Sequence, residues 1–140
     1  MGRGRAVDDR DAAQGARRGS IPFSHKNPIP AACRIGGLVC SGSIQGTDPA
    51  TGEYGADLGE QCRLMFRQVA NIVEAAGGDL QDIIKIAVWM KDRNQRAALN
   101  PLWLEMFPDP DSRPARHTMN ADLDGTKLVE CDFVAVIGTP

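Results

Sequence analysis

Arg113-Pro114-Ala115-Arg116-His117-Thr118-Met119 and, beyond the Asp124-Gly125 step, Leu128-Val129-Glu130-Cys131-Asp132-Phe133-Val134-Ala135-Val136-Ile137 are the two runs on which the fold turns. In an extended chain successive side chains point to opposite faces, so Arg116 and Thr118 share one face of the first run and His117 and Met119 the other. The second run is a mostly apolar strand that carries Glu130 and Asp132 on the same face as Val134 and Val136. An Asp-Gly step between two such runs is a hairpin signal, because it accepts the positive φ angles of a type I′ turn. Such a hairpin can bring Arg116 near Glu130, with the register left open. Two readings of the pair stand side by side. One is a cross-strand ion pair worth about 0–1 kcal/mol. The other is a pocket in which the guanidinium grips a substrate carboxylate with two parallel donors.

A chain of 140 residues with 42% hydrophobic content is one domain with a single core. Its formal charge of −2 shows no excess of the Lys and Arg that phosphate neutralisation requires, which argues against a nucleic-acid partner. No apolar run approaches the roughly 18 residues of a membrane span. Cys33, Cys40, Cys62 and Cys131 lie far apart without a Cys-x-x-Cys pair, and His25 and His117 stand alone, so no metal site is expected. Reduced thiols in a cytoplasmic protein without a cofactor are the expectation. Arg3, Arg5, Arg10, Arg17 and Arg18 are interrupted by Asp8, Asp9 and Asp11 with no apolar stretch behind them, unlike a secretory signal or a transit peptide. Residues 1–20 therefore read as a flexible tail and residues 21–140 as the single domain.

Along that domain, prolines in His25-Lys26-Asn27-Pro28-Ile29-Pro30 enforce an extended approach to a strand over 31–35. Gly36-Gly37 turns into a second strand, Leu38-Val39-Cys40-Ser41, and Gly42 marks a bulge or a close backbone approach. Asp57 with Glu60 resembles a capping box, and Leu58, Cys62, Met65, Phe66, Val69, Ile72, Val73 and Ala76 then recur at helical spacing until Gly77-Gly78. Residues 83–90 form the clearest strand, with Ile84, Ile86, Val88 and Met90 assigned to one face. A second helix begins near Asp92 and must kink or restart at Pro101. The resulting order, β-β-α-β-α-β-β, suits an α+β sandwich with two helices packed on one face of a mixed sheet.

Pro114-Ala115-Arg116 entering a strand, an acid fourteen residues later in Leu128-Val129-Glu130, and Ser41-Gly42-Ser43-Ile44 upstream resemble the RidA (YjgF) family of enamine and imine deaminases. The likeness runs from about Asn27 to Ile137. It implies a chorismate-mutase-like fold and a homotrimer with active sites in the clefts between subunits. It implies that Arg116 binds the carboxylate of a 2-imino acid and that Glu130 places or activates the attacking water. It further implies that Asn100 supports the pocket and that Gly42 lines it with backbone.

The chain also departs from the family pattern. Thr118 stands where RidA has a cysteine two residues past the arginine, Ile29 or Pro28 where it has a tyrosine, and Asp132 where a glutamate is common. Threonine can hydrogen-bond but offers no thiolate. Such a pocket fits enamine or imine carboxylates other than 2-aminoacrylate, among them ring-cleavage products of the 2-aminomuconate type. His25 and His117 are candidate replacements for the lost groups. The alternatives are a non-catalytic, metabolite-binding or chaperone-like trimer and, weakest on charge, a ribonuclease.

Overall fold

The structure, a computed structural model, describes residues 18–21 and 27–138. Its elements run β1 (Gly19–Ile21), β2 (Ala32–Ile35), β3 (Leu38–Ser41), β4 (Ile44–Gln45), α1 (Leu58–Ala75), β5 (Ile83–Met90), α2 (Asn100–Met106), β6 (Ala115–Asn120) and β7 (Val129–Val136). The strands form one sheet in the order β1-β2-β3-β7-β5-β6, with β4 also laid along β7. All pairings are antiparallel except β5 with β6, which run parallel. The domain is thus α+β, two helices on a mixed sheet, as expected. No helix among the described residues is long and apolar enough to cross a membrane.

Helix α1 starts where Asp57 accepts a hydrogen bond from the Glu60 N–H at 2.9 Å, satisfying one of the orphan donors of the first turn. The box is half-formed, because the Glu60 carboxylate turns to Arg63 instead of back to the cap. Gly77, at φ +98°, ends the helix in a conformation that side chains with a Cβ avoid. The apolar stripe of α1, from Cys62 and Phe66 to Val73, buries against Ile86, Val88 and Met90 of β5 and Val129, Cys131, Phe133 and Ala135 of β7. On β7 the alternation is strict, which leaves Glu130, Asp132, Val134 and Val136 on the face without helices.

Several details differ from expectation. Asp124-Gly125 does turn, with Gly125 at φ +57° and Lys127 N–H donating to the Asp124 carbonyl, but it joins no hairpin. β5 lies between β6 and β7, and the 121–128 connection arches past its end, held by Ala121 N to Met90 O and Lys91 N to Leu128 O. Eight residues is long for a hairpin loop, and a strand reached through a helical crossover pairs in parallel with its predecessor. Ile84 is 53% exposed, because a bulge between Ile83 and Lys85 shifts the register and gives its core position to Ile83. The second helical segment restarts as expected. A 3-10 stretch over Arg93–Leu99 gives way to α2 with Pro101 in its first turn. β1 starts at Gly19, inside the segment read as tail; residues 1–17 and His25 lie outside the described residues.

Candidate active site

β6 is the edge strand on one side of the sheet, and its Arg116 pairs in register with the fully buried Ile86. Arg116 and Thr118 therefore point to the helix-covered face. Residues 107–114 return the chain from α2 to this edge, with Pro114 buried and the Arg113 Nε donating to the Phe107 carbonyl. The α2 helix stands over the edge and presents two side chains to Arg116. Asn100 Oδ1 accepts a hydrogen bond from Arg116 Nη2 at 3.0 Å, and the Arg116 Cζ lies 4.9 Å from the centre of the Trp103 ring. Trp103 is itself fixed by edge-on contacts with Phe66 and Phe107.

The other terminal nitrogen of Arg116, Nη1, is buried and has no hydrogen-bond partner. An unsatisfied buried donor costs about 1–3 kcal/mol, more when charged. Burial, and after it the positive charge of Arg96, lowers the Arg116 pKa. Beside it opens a cavity of about 530 Å³ lined by Arg93, Asn94, Arg96, Arg116, His117 and Thr118. A braced cation with a free prong, facing a cavity without an acid in its lining, is built for an anion.

The remaining expected site residues lie elsewhere in the same chain. Glu130 pairs in register with Trp89 on β5 and Gln45 on β4, on the face without helices. Ile86 and Trp89 are three residues apart on one strand, so Arg116 and Glu130 point to opposite faces of the sheet. The shared face expected from the hairpin is absent because the hairpin is absent. Gly42 follows β3, where three residues oppose two on β7 between Cys40↔Val134 and Ile44↔Cys131, so the expected bulge is present. The Ser41 hydroxyl there accepts the Phe133 N–H at 2.8 Å, and the Gly42 N–H donates to the Ala31 carbonyl. β6 and β3 are three strand spacings apart, about 14 Å. Ile29, 53% exposed, precedes β2 on that far side.

The described chain thus gathers Asn100, Arg116 and Thr118 at the β6 edge and leaves Ile29, Gly42 and Glu130 away from it. Trp103, Arg93 and Arg96 were not singled out from the sequence. An aromatic three residues after Asn100 on one helix, and two arginines three apart just ahead of it, are the signals that could have marked them. His117, although alternation sends it to the opposite face from Arg116, still lines the cavity because β6 has no strand beyond it.

The family model described as Endoribonuclease L-PSP matches residues 25–137. The 2-iminobutanoate/2-iminopropanoate deaminase of Escherichia coli K12 is 36% identical over 101 residues, 71% of this chain and 78% of that protein. The chain belongs to the RidA family. A RutC family protein of Pyrococcus abyssi is 31% identical over 122 residues, covering 82% of this chain and 94% of the relative. Among solved structures, the YjgF gene product of Escherichia coli superposes with a TM-score of 0.76 at 28% identity, covering 84% of this chain and 97% of that one. RidA from the Antarctic bacterium Psychrobacter sp. PAMC 21119 matches with a TM-score of 0.76 at 27% identity, over 84% of this chain and 94% of that one. RidA membership fits the mixed sheet with two helices packed on it.

Proposed function

We propose that this RidA-family chain is a cytoplasmic hydrolytic deaminase that converts enamine or imine carboxylates to 2-oxo acids and ammonia. The observation that carries the proposal is the Arg116 guanidinium, braced by Trp103 and Asn100 with Nη1 buried and unpaired beside an open cavity. A substrate carboxylate satisfies that donor and removes its desolvation cost. Water then adds to the C=N carbon, the C–N bond breaks with a proton delivered to nitrogen, and the carbonyl remains. Thr118 contributes a hydroxyl beside the anion, and Glu130 receives the water's proton, a role worth about a hundred- to ten-thousandfold.

With Glu130, Gly42 and Ile29 lying away from Arg116 within one chain, the reading needs a site completed between copies, in which Arg116 of one protomer meets Glu130, Gly42 and Ile29 of its neighbour, as the family resemblance implies. A head-to-tail interface closes into a ring when its rotation allows, and the ring that the family resemblance implies is a homotrimer. Ring-cleavage enamines of the 2-aminomuconate type fall within the substrate range. The test is ammonia release from imines generated in place by an amino-acid oxidase. Arg116→Ala and Glu130→Ala variants must each lose activity, and undiminished turnover in either overturns its role.

A second reading, a non-catalytic metabolite-binding trimer, draws support from Thr118 and Ile29 standing where the family resemblance expects cysteine and tyrosine. Saturable binding of 2-oxo acids with no ammonia release from any imine decides for it.

A further inference from the structure

Three arginines line the cavity at the β6 edge, and no described carboxylate pairs with any of them. Arg116 is half-buried at its base, whereas Arg93 and Arg96 are exposed at its rim. The rim is held in place. The Arg93 N–H donates to Asn120 Oδ1 at 2.8 Å, tying the 3-10 stretch to the end of β6, and the Arg96 Nη1 donates to the Arg93 carbonyl at 3.1 Å. One α-carboxylate offsets one guanidinium. A substrate with a single negative charge leaves the two rim cations without an anionic partner.

We propose that Arg93 and Arg96 form a second anion subsite, and that the preferred substrates are 2-imino acids whose side chain carries a further carboxylate. Arg116 takes the α-carboxylate and the rim arginines take the distal one. The assignment of Arg116 rests on the deaminase reading above, but the rim subsite is tested by binding alone. Asn94, between the two arginines and also in the lining, offers an amide to the same group. The imine carbon is thereby held between the braced Arg116 at the base and the positive rim, which orders the substrate along the β6 edge.

The test uses the intact protein and two stable ligands, 2-oxoglutarate and 2-oxobutanoate, in isothermal titration, with ammonia release from the corresponding imines measured separately. The diacid is expected to bind more tightly than the monoacid by roughly two- to thirtyfold, the range for ion pairs to two solvent-exposed arginines. In the Arg93→Gln/Arg96→Gln double variant that ratio is expected to collapse towards one. Arg96→Gln alone, which removes one exposed charge, serves if the double variant does not fold. Equal affinity for the two ligands, a preference that survives the substitutions, or displacement by inorganic phosphate at lower concentration than by the diacid each overturns the proposal. A diacid preference without ammonia release from any imine leaves the subsite standing and removes the deaminase reading. Ammonia release with equal binding of the two ligands does the reverse.

Discussion

Arg116 lies flat enough against Trp103 for its Cζ to stand 4.9 Å from the ring centre, with Asn100 three residues earlier on the same helix taking one of its donors. The helix thereby aims a long, flexible side chain that would otherwise sample many rotamers. A cation over an indole face contributes about 0.5–2 kcal/mol, rising with desolvation. Trp103→Phe keeps a ring against Phe66 and Phe107 but weakens this seat. KM for an imine substrate is expected to rise about two- to thirtyfold with kcat little changed. Steady-state ammonia release at varied substrate checks the split.

The same site sets function against stability. Arg116 brings an unpaired buried donor at a cost of about 1–3 kcal/mol. Against that stand its ring contact and one hydrogen bond to the exposed Asn100, whose amide water can satisfy instead. Met fills a similar volume beside Trp103 and carries no charge. Arg116→Met is expected to abolish turnover while raising unfolding free energy by about 1 kcal/mol. Urea titrations of both proteins, without ligand, measure the difference; a loss of stability would show that the ring contact outweighs the orphaned donor.

Much of this architecture is legible in local patterns. The α1 stripe, its Asp57 cap, the β7 alternation and the restart at Pro101 all follow from spacing within one element. What local pattern does not carry is relational. Asp124-Gly125 has the chemistry of a tight turn, yet strand pairing depends on which partner the crossover through α2 delivers, and that partner is β5. Ile84 follows the alternation only until the bulge beside it shifts the register. Arg93, Arg96 and Trp103 come together with Arg116 only when the 3-10 stretch and α2 are stacked over β6; their spacing on the chain marks one helical face but does not say which strand that face meets.

Cys62 connects the core to pH. Burial alone lifts its thiol pKa from the ordinary 9.0 to about 11, and the buried Cys131 is raised too, first by burial and then by the charges of Asp132 and Glu130. Between pH 9 and 11 the folded state holds a proton that the unfolded chain releases, so stability is full below pH 9 and falls as pH rises through this window. Relative to Cys62→Ala, the native chain is expected to lose about 2 kcal/mol across it, discounted for screening. Parallel denaturation midpoints at pH 8 and pH 11 test this. Identical slopes for the two proteins would mean that the thiol contributes nothing.

The separation of Arg116 from Glu130 by the thickness of the sheet makes a prediction that no single-chain site shares. If each active site takes its guanidinium from one protomer and its acid from the next, Arg116→Ala and Glu130→Gln subunits are inactive alone but complement each other. Co-expressed in equal amounts and assembled at random, they place both native groups in about one quarter of the sites, since each position is native with even odds and the two come from different chains in a closed ring. Activity of the purified mixture should therefore approach that fraction of the native value. A mixture no more active than its two parents would require Arg116 and Glu130 to act within one chain, which the register of β5 against β6 and β7 opposes.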